Sequence, residues 1–281
     1  MGKRVVAMAA IPGKIPRGNR MRTSLSYLKY GHATWEWWCR KNGVEFVLLN
    51  KPYGGAEYEA LPPTIQRWLA AKELFREYGS DARIAFVDAD TMIHWDAPNL
   101  FDEAGSQFAA VQDWTIHWVN RSIRAYQHIF PEVSLPWWDY FNSGVVVFGE
   151  AELPLFDKLT RFVQERWADL YPITQSADVG TDQTVLNYLV RRDRHPFRYL
   201  PPRFNLVNCV QMTPDLWMME LSADLSALAL DQVTLSPKVF HFVEMAYVWH
   251  FTNVVAVREL LMKETWRHMS AHYPGAKLLE D

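Results

Sequence analysis

The 281 residues are 49% hydrophobic and 22% charged with a formal net charge of −3, which excludes a disordered chain and one drawn as a whole to nucleic acid or membrane. Two cysteines, Cys39 and Cys209, exclude a disulfide framework and stand at no metal-ligand spacing, so a reducing, cytoplasmic setting is expected. The length suits one large α/β domain or two small ones, and no segment has the ~18 uninterrupted apolar residues of a membrane span.

The opening "MGKRVVAMAAIPG" has basic residues and a short apolar run, faintly like a secretory leader. The run is too short and lacks a cleavage site, so Val5–Ile11 reads as a first strand ended by Pro12–Gly13. A loop rich in Gly, Pro, Lys and Arg follows to Arg22. Ser24–Lys41 reads as a helix, with Leu25, Leu28, Trp35 and Trp38 on its buried face and Asn42–Gly43 as its stop. Val44–Leu49 is a second strand, Pro63–Tyr78 a second helix closed by Gly79, and Arg83–Val87 a third strand. Strand, helix, strand, helix, strand predicts a mostly parallel sheet with helices on both faces, an α/β architecture whose ligands bind beyond the carboxyl ends of the strands.

Beyond Trp95 the pieces are shorter. Phe108–Val111, residues 143–149, Arg198–Leu200 and Val239–Val243 read as strands. Arg121–Ile129, Pro154–Leu170, Thr181–Val190 and Val254–Met269 read as helices. No repeat or low-complexity linker appears, so one domain is expected over 1–281: a nucleotide-facing first half (1–95), a more irregular second half (96–250) and a C-terminal helix (251–281). Two basic stretches, around Lys14, Arg17, Arg20 and Arg22 and from Arg191 to Arg203, are either solvated surface or phosphate-neutralising.

The chemistry is concentrated in "IAFVDADTMIHW", where an apolar strand delivers Asp88 and Asp90. Residues i and i+2 of an extended chain point the same way, so the two carboxylates can converge on a hard cation such as Mg²⁺ or Mn²⁺. A diphosphate would fill the open coordination positions, and the cation would neutralise a phosphate leaving group. The short string also fits a haloacid-dehalogenase-like phosphatase, in which the first Asp is a nucleophile. That motif belongs on a first strand, whereas this one follows a third.

Six segments in order point elsewhere. "IQRWLAAKELF", "RIAFVDADTMIHWDAPNLFD", "YFNSGVVVFG", "TDQTVLN", "LPPRFN" and "VFHFVEMAYVW" together resemble the nucleotide-sugar glycosyltransferases of the GT-A fold, in particular the glycogenin-like (family 8) and related retaining families. The resemblance spans roughly residues 65–250. It implies a metal-dependent transfer of a sugar from a nucleoside-diphosphate sugar, a UDP-sugar, to an acceptor hydroxyl with retention, assisted by Mn²⁺ or Mg²⁺.

By the same resemblance Asp88 touches metal and ribose, Asp90 touches the metal, and His241 is the third ligand with His250 in reserve. Asp182 and Gln183 become the catalytic candidates at a helix start. Asn142, Ser143, Ala10, Arg67, Lys72 and Trp249 join Asp88 in binding the donor. Arg67 and Lys72 lie five apart on one helix, so at most one of them faces the donor. The pattern departs from the family at Tyr247, where a diphosphate-binding Lys is expected; either Lys14, Arg17 or another basic residue replaces it, or the closing loop is built differently. Tryptophans in "WTIHWVN" and "LPWWDY" suit stacking on an acceptor, a glycan first and a hydroxylated base in DNA second. A nucleotide-sugar-binding protein without turnover is the non-catalytic alternative.

Overall fold

The computed structural model describes residues 2–11, 25–55, 58, 61–176, 179–207, 246–252 and 258–279. Lys14, Arg17, His241, Cys209 and the expected strand Val239–Val243 lie outside the described residues.

The first half follows the local pattern closely. Strand β1 (Arg4–Ala9) leads to helix α1 (Leu28–Asn42), β2 (Glu45–Leu49), α2 (Pro63–Tyr78) and β3 (Arg83–Asp88). Helix α1 stops where Gly43 takes φ 63°, a left-handed cap whose N–H bonds the Cys39 carbonyl. Helix α2 starts at a proline, whose missing N–H costs nothing in a first turn.

The remaining strands complete a six-stranded sheet in the order β2-β1-β3-β6-β5-β7, with β5 at Phe108–Gln112, β6 at Phe141–Phe148 and β7 at Phe197–Leu200. The sheet is mostly parallel. Only β6 runs against its neighbours, pairing Val87 with Val145 and Val111 with Asn142. Its amino-terminal end therefore lies beside the carboxyl ends of β3 and β5. The bulge between Ala110 and Val111 shifts the register where Asn142 enters.

Alternate residues of the central strands feed two cores. Val6, Met8, Ala85, Val87, Val145 and Val147 face α1, whereas Val5, Ala7, Ile84, Phe86, Val146 and Phe148 face α2. Strands buried on both faces read as continuous apolar runs, and β6 is buried at every position.

Three features depart from expectation. A two-stranded antiparallel ladder joins β4 (Thr91–Ile93) to β8 (Val248–His250), with Thr91 opposite His250. After the short α3 (Leu100–Ala104), helix α4 (Ile116–Tyr126) starts earlier than the expected Arg121. The expected helix Pro154–Leu170 is two, α5 (Leu153–Glu165) and α6 (Trp167–Ser176), because the backbone leaves the helical region at Arg166 (φ −106°, ψ 15°). The last helix, α8, is described over Arg258–Met269, after α7 (Asp182–Arg192). No described helix is long and apolar enough to cross a membrane.

Candidate metal and donor site

Strand β3 ends at Asp88, and Ala89 and Asp90 form a turn rather than a continued strand. The two carboxylates converge through that turn, not through the pleat. Thr91 Oγ1 holds it, donating to the Asp88 carbonyl at 2.6 Å and accepting from Trp35 Nε1 at 2.9 Å. Helix α1 approaches so closely that a Cβ on Gly31 would lie 2.6 Å from the Thr91 carbonyl oxygen.

The β4–β8 ladder then delivers the third group. His250 Nε2 lies 3.3 Å from Asp90 Oδ1 and 3.6 Å from Asp88 Oδ2. Ligand atoms of Asp88, Asp90 and His250 all lie within 4.8 Å of one another. His250 is 2% exposed, and its Nε2 has no hydrogen-bond partner among the described residues. Its Nδ1 meets Asn205 Oδ1 at 3.1 Å. A buried, unsatisfied ring nitrogen facing two carboxylates is a costly arrangement that a cation would complete. Two carboxylate oxygens and one imidazole fit a divalent ion such as Mn²⁺ or Mg²⁺.

Two arginines balance the acids. Arg67, from α2, is fully buried and binds Asp88 through Nη1. Its Nη2 reaches Asp182 Oδ2 at 2.7 Å and Ser143 Oγ at 2.9 Å. Trp68 Nε1 adds a second donor to Asp182 Oδ2 at 3.0 Å. Arg258, at the start of α8, reaches Asp90 Oδ2 at 3.1 Å and caps the carbonyls of Phe251 and Thr252.

Proton affinities follow from burial and these neighbours. Burial pushes Asp88 up and wins over the opposing pull of Arg67 and His250. Asp90 is buried too, but Arg258 and His250 hold it well below the usual carboxylate range. Burial pulls His250 down, and the carboxylates of Asp90 and Asp88 outweigh it, leaving the net shift upward. Different burial and different cationic neighbours thus separate two acids of the same type.

Behind Asp88 lies a buried polar layer. Asn142 Nδ2 and Gln183 Nε2 both donate to Asp113 Oδ2 at 3.0 Å, and Ser143 N donates to Gln183 Oε1 at 2.9 Å. Asp182 and Gln183 open α7, whose axis ends at this layer.

Asp88, Asp90, Arg67, Asn142, Ser143, Asp182 and Gln183 therefore come together, and Ala10 sits buried just past β1, whose Ala9 pairs with Asp88. Lys72 does not join them. It points to the other side of α2 and binds Asp157 at 2.7 Å, so of the two basic residues Arg67 faces the site. Trp249 is fully buried in the core, since neighbours in β8 alternate sides and His250 takes the site face. Among the described residues His250, the reserve, is the histidine brought to the acids; His241 lies outside them. Tyr247 stacks under Arg203, whose guanidinium lies 4.0 Å from the ring, so a cation occupies the position's surroundings.

Three contributors carry no role in the sequence pattern: Asp113, Asn205 and Arg258. Asp113 had a usable signal, an acid at a strand's carboxyl end like Asp88. Arg258 had none, because only the docking of α8 brings it to Asp90.

No protein-family model matches the chain, and no curated protein matches it in sequence. Among solved structures it is similar to a glycosyltransferase involved in the glycosylation of the major capsid of PBCV-1. That likeness covers 93% of this chain and 99% of the other at 14% identity, with a TM-score of 0.53. Mouse xyloside xylosyltransferase 1 follows at 11% identity, 89% and 98% coverage and TM-score 0.48. The galactosyltransferase LgtC, in complex with donor and acceptor sugar analogs, has 15% identity, 99% and 98% coverage and TM-score 0.47.

Proposed function

The chain has the α/β GT-A fold, and from that premise we propose that it is a metal-dependent glycosyltransferase using a nucleoside-diphosphate sugar, a UDP-sugar, as donor. The observation that carries this reading is the convergence of Asp88, Asp90 and His250 at the carboxyl edge of the sheet beside the buried Arg67–Asp182 pair. We read residues 1–281 as one catalytic domain, since the site draws on β3, α2, β6, α7 and β8 together. The buried thiol of Cys39 suits a reducing, cytoplasmic setting.

A divalent cation, Mn²⁺ or Mg²⁺, held by Asp88, Asp90 and His250 would neutralise the leaving diphosphate. The chain's own residues position everything else. Asp88, 30% exposed at its side chain, faces the donor, while Arg67 holds its other flank. Asn142 and Ser143 supply compact groups for sugar hydroxyls. Asp182 accepts from Arg67 and Trp68 on one oxygen and from the Thr181 hydroxyl, 3.2 Å away, on the other. A carboxylate so engaged holds the site rather than attacking the sugar. The acceptor hydroxyl is then the nucleophile in a front-face displacement that retains configuration.

For the acceptor, Trp114 follows Asp113 beyond β5 and Trp138 precedes β6, so both stand at the carboxyl edge of the sheet. They are 51% and 56% exposed, with Trp137 between them at ring distances of 6.1 and 5.8 Å. Exposed indoles favour stacking on a sugar ring. Asp139, next to Trp138, pairs with Arg191 at 3.0 Å, so that guanidinium is already engaged rather than free for a polyanion. A glycan is therefore the acceptor class, ahead of a modified base in DNA.

The test is a thermal-shift panel of nucleotide sugars with and without Mn²⁺, followed by hydrolysis assays. Mn²⁺-dependent cleavage of a UDP-sugar, lost in Asp90→Ala, is the expected outcome. Phosphate release from phosphomonoesters without any response to UDP-sugars would replace the reading with a phosphatase. UDP binding without turnover would leave a binding protein.

A further inference from the structure

We infer that Asp113 is a positioning residue that sets the tautomer of His250 from three links away, through the side-chain amides of Asn142 and Asn205. The inference rests on reading Asp88, Asp90 and His250 as a cation site.

The run of donors and acceptors has one consistent direction. Asp113, 1% exposed, accepts the Thr115 backbone N–H on Oδ1 at 3.0 Å, together with the Thr115 hydroxyl. A carboxylate receives amides through their NH₂ groups, so Asn142 and Gln183, both 3.0 Å from Oδ2, turn their nitrogens toward it. Each assignment has an independent check on its far side. The Gly144 backbone N–H meets Asn142 Oδ1 at 2.8 Å, and the Ser143 backbone N–H meets Gln183 Oε1 at 2.9 Å. A backbone N–H only donates, so the atom it meets is oxygen.

Asn142 Oδ1 is therefore an acceptor, and Asn205 presents Nδ2 to it at 2.8 Å. That leaves Asn205 Oδ1 facing His250 Nδ1 at 3.1 Å, which places a hydrogen on Nδ1. In a neutral imidazole the other nitrogen then carries the lone pair. This nitrogen, Nε2, is the buried atom aimed at Asp88 and Asp90. Asn142, Asn205 and His250 are 4%, 3% and 2% exposed, so water has little access to break the sequence of bonds. Outer partners of a metal-bound histidine act in this way, by fixing which nitrogen is free.

Asparagine at 113 would reverse the logic at its source. With the Thr115 N–H still demanding an oxygen, the amide NH₂ would face the NH₂ groups of Asn142 and Gln183. Flipping Asn142 would then set its own NH₂ against the Gly144 N–H and against Asn205.

The experiment reads the metal-free and metal-bound states separately. Imidazole ¹⁵N shifts of the full chain are recorded at a pH where the ring is neutral, with His250 assigned by comparison with His250→Gln. Wild type is expected to show Nδ1–H, and Asp113→Asn and Asn205→Ala to lose that preference. In Mn²⁺ titrations followed by water-proton relaxation, both variants are expected to bind roughly 10–100-fold more weakly than wild type. A wild-type ring protonated on Nε2, or variants with unchanged tautomer and unchanged Mn²⁺ affinity, overturns the inference. Should Asp113→Asn not fold, the wild-type spectrum and Asn205→Ala decide it. Wild type that shows the expected tautomer yet binds no Mn²⁺ keeps the relay and rejects the cation site.

Discussion

Arg67 answers two carboxylates with one guanidinium, and its burial makes that balance costly to disturb. Removing one member of a buried ionic group leaves the others uncompensated. Arg67→Met should lower stability by about 3 kcal/mol in urea unfolding, the low end of the usual range because Asp88 is partly solvated. A loss under about 0.5 kcal/mol, the level of an exposed pair, would show that the pair is screened. His250 supplies a pH test with a definite sign. Its folded pKa is raised, so the protonated ring stabilises the metal-free protein below the ordinary histidine value of about 6.5. That contribution is lost as pH rises through the folded value. A cation competes with the proton, so the rise in Tm on adding Mn²⁺ should grow with pH across the same window. The growth should vanish in His250→Gln; a Tm gain independent of pH in wild type would contradict the assignment.

Among the elements, the short β4–β8 ladder matters more to the site than its length suggests. It sets His250 opposite Thr91 and so one residue from Asp90. Strand β6 supports the ring from beneath, at a position without a side chain. A Cβ on Gly144 would lie 2.2 Å from His250 Cε1 and 2.7 Å from Nδ1. Gly144→Ala should therefore displace the ring, weakening Mn²⁺ binding by about tenfold or more while the sheet stays folded. Overpacking of this kind also costs about 1–3 kcal/mol. Mn²⁺ titration and urea unfolding of the same variant separate the two effects. Unchanged affinity would mean that β6 yields instead of the imidazole. Helix α8 adds Arg258 to Asp90 and to the carbonyls following β8, tying the end of the chain to the acids.

Across the whole molecule, the site joins segments that are distant in sequence, so a bound cation should stabilise the fold rather than one loop. At a hundred times its dissociation constant a ligand adds about 2.7 kcal/mol. Mn²⁺ should raise the unfolding midpoint of the entire chain in a single transition, with chelator reversing the gain and Asp90→Ala abolishing it. A midpoint that ignores Mn²⁺ at every pH would remove the cation from the reading.

Much of this architecture was legible beforehand. The β1-α1-β2-α2-β3 order was readable because apolar periodicity, Gly43, Gly79 and Pro63 are local signals, and α2 begins and ends where they place it. The closeness of the Asp88 and Asp90 carboxylates was legible because the two acids flank a single residue at the end of an apolar strand. The reversal of β6 was not, since a fully buried strand reads alike in either direction. Nor was the approach of His250 to the acids, because the β4–β8 ladder that carries it pairs residues far apart in sequence. Residue types and their near-neighbour spacing decided the fold class and the acidic pair. Which histidine, which arginines and which buried carboxylate surround that pair depended on long-range strand pairing and helix docking, contacts whose energies are spread over many residues and leave no mark on any short stretch of chain.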